Sequence, residues 1–360
     1  MIAYGTWFIQ NFHIIVTGIA GVGFVIAFHE LGHFLFCKLF KVHVPVFSIG
    51  FGPRILNKKI GETTFSLSLI PIGGYVEAEM GQTDGLGAER NMETKPYWQK
   101  MCIACGGILF NLIFAYIALV GLSMTGIPSN PFLIHHGSYA IKKIAVDSPA
   151  AKAGLASGDK LLKINDTDVS GHIGKLFHAL EPLANQHAHI TLERDGIEKT
   201  FDITIGSRTV KDKEVGALGI EEFLFPSLAP LSFIASLKQA CKLTYELISS
   251  TVRSLLHAFQ KRTAQGFSGP LMMISLTIAS VGQGAKLFFI FLTVISVSLA
   301  ILNVLPLPIL DGGRIFTLTI EAIIRRPLPE KFNIALHYAS IVLMVFLFIY
   351  LTVKDLKDLL

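Results

Sequence analysis

The sequence predicts a polytopic α-helical membrane protein of about four transmembrane helices, with a membrane-associated β segment and one extracytoplasmic domain. Hydrophobic residues make up 51% of the 360 and charged residues 16%, and the mean hydropathy is +0.56. That is less charge than a soluble chain needs to stay dissolved. Apolar stretches near the roughly 20 residues that cross a bilayer recur along the chain. Between them lie one β-rich stretch and one polar, mixed-charge stretch with regular turn signals.

In order, residues 1–40 hold the first span, expected from Ile14 to Phe36. Met1–Phe12 carries no Lys or Arg, and no small-residue cleavage site follows, so this stretch is expected to stay in the membrane. Residues 41–96 read as the β segment and a loop on the cytoplasmic side. VHVPVFSIGFGPRIL and TTFSLSLIPIGGYVEAEM mix β-branched and aromatic residues with Gly and Pro, which predicts short strands and hairpins, and Gln82–Arg90 reads as a Gly-rich polar loop. Residues 97–126 hold the second span, from Trp98 to Met124. Residues 127–222 read as the soluble domain. In residues 223–284, Leu231, Ile234, Leu237, Cys241, Tyr245 and Ile248 recur at helical spacing between Lys238, Lys242 and Glu246. This predicts an amphipathic helix or helix pair, at the interface or packed on the bundle's flank. Leu271–Val281 is too short to span and reads as interfacial or re-entrant. Residues 285–325 hold the third span, which starts near Lys286, breaks at Pro306 and Pro308, and resumes near Gly312. Residues 333–354 hold the fourth.

Lys38, Lys41, Arg54, Lys58 and Lys59 follow the first span, Lys95 and Lys100 precede the second, and Arg325, Arg326 and Lys331 separate the last two. The positive-inside rule then places the β segment and the last loop in the cytoplasm and the soluble domain outside. The formal net charge of +5 is spread through loops with no dense basic run, so no nucleic-acid partner is expected. Cys37, Cys102, Cys105 and Cys241 sit in apolar or helical contexts and read as packing residues.

His29-Glu30-Leu31-Gly32-His33 is H-E-x-x-H inside the first span. The i, i+4 spacing stacks both imidazoles on one helix face, where both can reach one zinc ion, and Glu30 can act as base toward water there. The plain alternative, polar groups on a solvated face, fits poorly with the continuously apolar residues upstream. Catalytic zinc takes three protein ligands. Asp311, in Leu310-Asp311-Gly312-Gly313, is the candidate third; alternatively it caps the helix that restarts there, and the two roles are compatible. If the soluble domain lies outside, the first and third spans run the same way and bring His29 and Asp311 to a similar depth.

HELGH, GFGP, PIGGYV and NVLPLPILDGG, in this order, resemble the site-2 protease family, specifically its RseP-like bacterial branch (regulator of sigma-E protease). The sequence from Ile144-Ala145-Val146-Asp147-Ser148-Pro149 through Ala153-Gly154-Leu155, Gly158-Asp159 and Ile164-Asn165 resembles a bacterial PDZ domain. Gly216-Ala217-Leu218-Gly219-Ile220 is its candidate carboxylate-binding loop, or an ordinary turn before a strand. The resemblance implies Zn2+ held by His29, His33 and Asp311, with Glu30 as general base. It links Asn303, Pro306 and Pro308 to substrate handling, and the β segment, with Gly73 and Gly74 of PIGGYV, would hold an unwound substrate by strand addition. It implies an intramembrane endopeptidase of the bacterial inner membrane, acting in regulated intramembrane proteolysis. Its substrates would be single-span membrane proteins already cut outside, such as anti-sigma factors or remnant signal peptides. The other expected partners are membrane lipid and a peptide C-terminus at the PDZ domain. The chain departs from the family at Cys105-Gly106-Gly107, before Asn111, and at Arg314. His135, His136, His172, His178, His187 and His189 show no ligand spacing. The competing readings are a non-catalytic PDZ membrane scaffold and a transporter with a midplane ion site; the intact His, Glu, His and Asp argue against the first, and the lack of an internal repeat against the second.

Overall fold

The computed structural model describes residues 2–78, 90–130, 133, 139–170, 173–210, 213–225, 227–261 and 269–359. In chain order the elements are α1 (Ile2–Leu39), β1 (Val46–Ile60), β2 (Thr63–Glu77), α2 (Tyr97–Thr125), β3 (Ala140–Ile144), α3 (Pro149–Lys152), β4 (Lys160–Ile164), β5 (Thr167–Asp168), α4 (Ile173–Leu180), β6 (His187–Arg194), β7 (Ile197–Thr204), β8 (Gly206–Val210), β9 (Lys213–Ala217), β10 (Ile220–Leu224), α5 (Phe233–Lys261), α6 (Pro270–Gly282), α7 (Ala285–Asn303), α8 (Asp311–Ile324) and α9 (Glu330–Leu359). They form two compact units, residues 1–124 with 232–360, and residues 125–231.

In the first unit, four helical segments among the described residues are long and apolar enough to cross a membrane: Phe12–Leu39, Tyr97–Thr125, Ala285–Asn303 and Lys331–Lys357. Half of the second and third is buried but only 6% of the fourth, as a helix facing lipid would be. α6, with 13 residues, is about 20 Å long and falls short of a hydrocarbon core. Its first turn is held from α9, where the buried Asp355 carboxylate accepts from Gly269 N at 2.9 Å and Met272 N at 2.8 Å. Residues 233–261 form one helix rather than a pair, and it packs against α7.

The β segment corrects the expectation of short strands. β1 and β2 are each 15 residues long and fold on one another. Arg54–Ile60 pairs with Thr63–Ser68 across the turn at Gly61-Glu62, and Val46–Ile49 pairs antiparallel with Gly74–Glu77. Val46–Ile49 also lies in step beside Thr64–Leu67. Gly50, Gly52 and Gly73 have φ of 87°, 86° and 122°, and the pairing shifts register around them. Glycines that read as turns are kinks inside strands, because Gly takes positive φ without the penalty a Cβ imposes. The expected loop Gln82–Arg90 falls, except for Arg90, outside the described residues.

The second unit is a sheet ordered β10-β3-β4-β6-β7, with β5 folded onto β4, beside a separate β8-β9 hairpin. Ile141, Leu161, Ile164, Leu176, Ile190 and Leu192 are buried in its core. Asp159, 1% exposed, receives Arg194 Nε at 2.6 Å and Nη2 at 2.7 Å. The unit reaches beyond the expected 127–222: β10 straddles residue 222, and Ile127 and Leu228 exchange backbone hydrogen bonds of 3.0 and 2.9 Å.

Candidate metal centre

α1 places His29 and His33 one turn apart on one face. Asp311 opens α8 after the turn that ends α7. Leu310 occupies the cap position and Asp311 is the first helical residue, so its carboxylate faces the histidines instead of capping the helix. A Cβ on Gly312 would overlap the Val304 and Leu305 carbonyls, and one on Gly313 the Leu307 carbonyl. The double glycine lets α8 close tightly on the proline turn and returns Asp311 to α1.

The donor atoms converge. His29 Nε2 lies 3.3 Å from His33 Nε2 and 3.3 Å from Asp311 Oδ2, and His33 Nε2 lies 3.3 Å from Asp311 Oδ1. Tetrahedral zinc, with bonds of roughly 2.0–2.1 Å, spaces its donors roughly 3.3 Å apart. His33 Nδ1 lies 2.7 Å from the Ile103 carbonyl, which can only accept, so that nitrogen carries the proton and Nε2 presents a lone pair. Asp311 Oδ2 is buried and accepts no hydrogen bond of good geometry. Lone pairs this close repel unless a cation sits among them. The donor set therefore fits zinc.

His29 needs the same tautomer. Its Nδ1 lies 3.1 Å from the Asn111 amide nitrogen, while Asn111 Oδ1 is buried without a partner. A half-turn of the amide puts Oδ1 against Nδ1–H as its acceptor and turns the lone pair of His29 Nε2 to the centre. Asn111 is fully buried, and its backbone carbonyl accepts from Ser296 Oγ at 2.8 Å, tying α2 to α7. A Cβ on Gly107 would overlap both imidazoles, and α1 and α2 cross where Gly32 and Gly106 meet backbone to backbone. In the sequence Gly106, Gly107 and Asn111 stand out only as departures from a family pattern. The available signal was an amide in an apolar span four residues after a glycine, hence on the same face.

A cavity of about 610 Å³ opens on the centre. Glu30 lines it and packs on β2: a Cβ built on Gly74 would stand 2.9 Å from Glu30 Cγ. Gly73, Gly74 and Asn303 line it too, with Asn303 Nδ2 3.5 Å from His29 Nε2. Pro308 lines an adjoining cavity together with Asp311, and both Pro306 and Pro308 lie in the turn between α7 and α8. Cys37 and Arg314 also line the main cavity. His187 Nδ1 meets Thr204 Oγ1 at 3.2 Å, His189 pairs with Asp202, and His178 stands 3.9 Å from Glu181; none of them belongs to a metal-ligand group among the described residues. His135, His136 and His172 lie outside the described residues.

The model of peptidase family M50 matches residues 17–347. The chain belongs to this family, the site-2 proteases. Similar proteins match over nearly the whole chain. A Clostridium perfringens protein named as a candidate zinc metalloprotease is 28% identical over 95% of this chain and 98% of its own. A Fusobacterium nucleatum protein of the same description is 30% identical over 93% and 96%. The chloroplastic membrane metalloprotease ARASP of Arabidopsis thaliana is 26% identical over 96% and 79%. Family and donor set together make this M50 peptidase a multi-pass membrane metalloprotease.

Proposed function

We propose that this M50 peptidase is a zinc endopeptidase that cuts the transmembrane segments of single-span membrane proteins, with His29, His33 and Asp311 holding zinc and Glu30 as general base. The observation that carries this reading is the placement of the H-E-x-x-H side chains inside the apolar segment Phe12–Leu39, on a cavity that the rim of β2 also lines. Zinc, when bound, supplies Lewis acidity for water activation and carbonyl polarisation. Glu30 takes the proton from water and returns it to the leaving amine. Asn303 offers an amide N–H to the substrate carbonyl oxygen. Gly73 and Gly74 leave room for an extended peptide: Gly74–Glu77 pairs with β1 on one side, and among the described residues no strand pairs on the other. A peptide added there runs past Glu30, so strand addition would unwind the substrate helix and present its carbonyls.

The unit 125–231 fits a PDZ-like role in selecting substrates. β10 is an edge strand, α4 supplies an exposed Phe177, and Gly219 has the positive φ of a tight loop. The charge distribution supports a centre toward the cytoplasm with this unit outside, and the bacterial proteins among its relatives suit a bacterial inner membrane and regulated intramembrane proteolysis of RseP-like type. Substrates would already be trimmed outside, as anti-sigma factors and remnant signal peptides are. The test is in-cell cleavage of tagged single-span proteins, with and without their outer domains, by wild-type and Glu30→Gln enzyme. The expected result is a cut in the membrane segment of trimmed substrates by wild type alone. Equal cleavage by both enzymes, or cuts confined to soluble proteins, would overturn the reading.

A further inference from the structure

A third cavity, of about 490 Å³, lies where the first membrane segment ends and the second begins. Among the described residues Lys38, Lys41, Val42, Glu62, Arg90 and Lys95 line it, four cations against one carboxylate. The carboxylate is engaged: Arg90 Nη1 donates to Glu62 Oε1 at 2.9 Å, and Nη2 contacts Oε2. Lys38 Nζ is held in place, donating to Thr63 Oγ1 at 2.9 Å and lying 5.3 Å from the centre of the Phe34 ring. Thr63 Oγ1 in turn donates to the Val44 carbonyl at 2.7 Å, so the lysine head rests on a fixed scaffold.

The cavity's level along the bundle decides what suits it. Lys38 lies in the last turn of α1 and Lys95 two residues before α2, at the ends of the segments Phe12–Leu39 and Tyr97–Thr125. Beside them Leu39, Tyr97 and Trp98 are 67%, 43% and 56% exposed, and Trp98 is braced edge-on against Phe40. Exposed aromatics beside a leucine mark the boundary between headgroups and acyl chains, and basic pockets between helices at that level suit anionic headgroups.

We propose that this cavity binds the phosphate-bearing headgroup of an anionic glycerophospholipid, with its acyl chains along Leu39 and Trp98. Among the described residues the lining carries four cations and one carboxylate, a balance that an anionic headgroup complements and a zwitterionic one does not. The site lies apart from the metal cavity and shares no lining residue with it.

The chain has two tryptophans, Trp7 and Trp98, so a Trp7→Phe background isolates Trp98 as the probe. The full-length protein, with zinc bound, is reconstituted in phosphatidylcholine vesicles containing a small, equal fraction of brominated phosphatidylglycerol or brominated phosphatidylcholine. The expected result is stronger Trp98 quenching by the brominated phosphatidylglycerol. Lys41→Gln and Lys95→Gln should each lower that preference about fivefold. Lys58→Gln with Lys59→Gln, on the exposed end of β1, should leave it unchanged. Lys38 and Arg90 are kept because their hydrogen bonds to Thr63 and Glu62 build the wall of the cavity. Equal quenching by the two lipids, or an equal loss from the Lys58 and Lys59 changes, would overturn the proposal. So would abolition of the preference by inorganic phosphate at matched ionic strength, which would make the site one for free phosphate. If either lysine variant fails to retain zinc, the other carries the test.

Discussion

Asn111 meets His29 at 3.1 Å, on the ring nitrogen that faces away from Asp311. This contact crosses from α2 to α1 and fixes which imidazole nitrogen presents its lone pair to the metal. Outer-shell partners of this kind are worth about 10- to 100-fold in metal affinity. Asn111→Leu should lose that much zinc affinity in competition with a chelator, whereas Asn111→Asp, which keeps an acceptor beside Nδ1, should retain most of it. Equal affinity in the leucine variant and the wild type would mean that another group orients His29.

Gly107→Ala should abolish metal binding while the spans remain helical, because its Cβ would occupy the space of both imidazoles. Gly121→Ala is the matched control in the same helix, since a Cβ there meets nothing within 4 Å. Zinc per chain and far-UV circular dichroism on both variants check this. Full zinc in the Gly107 variant would show that the rings have room to move.

The local parts of this site were legible in the sequence. HELGH reads directly because i, i+4 spacing on a helix fixes its geometry, and LDGG reads because an acid after a proline break in an apolar stretch needs a reason. Ile103, Gly107 and Asn111 were not legible as partners of the histidines. Their roles depend on where two helices cross, which the Gly32–Gly106 contact sets. The β segment was legible in type but not in pairing. Gly50, Gly52 and Gly73 signal turns by composition, and only the three-dimensional register shows strands continuing through them. Asp311 was left between cap and ligand by sequence alone, and the place of Leu310 at the cap decides which way its carboxylate faces.

Glu30→Gln should retain zinc and lower cleavage of a single-span reporter at least about 100-fold, since the amide keeps the shape but cannot take a proton. Turnover within about tenfold of wild type would remove Glu30 from the role of base.

In the unit 125–231, burial of Asp159 opposes its charge, but hydrogen bonds from Arg194 and the Ala156 N–H outweigh that and hold its carboxyl below the usual range. A depressed folded pKa contributes stability that is full above the unfolded value, about 3.9, and is lost as pH falls through the folded value. Asp159→Asn should therefore cost about 2 kcal/mol at neutral pH and less as the acid range is reached. Hydrogen exchange of β4 and β6 peptides in the full-length protein reads it at neutral pH. Unchanged protection there would show that the ion pair contributes nothing.

The central claim is that two imidazoles and one carboxylate hold a single zinc ion. Zinc K-edge X-ray absorption of the purified full-length protein tests it most directly. The account predicts nitrogen and oxygen neighbours at about 2.0–2.1 Å and no sulfur. A sulfur shell at about 2.3 Å would bring a cysteine into the coordination sphere and contradict the assignment of His29, His33 and Asp311.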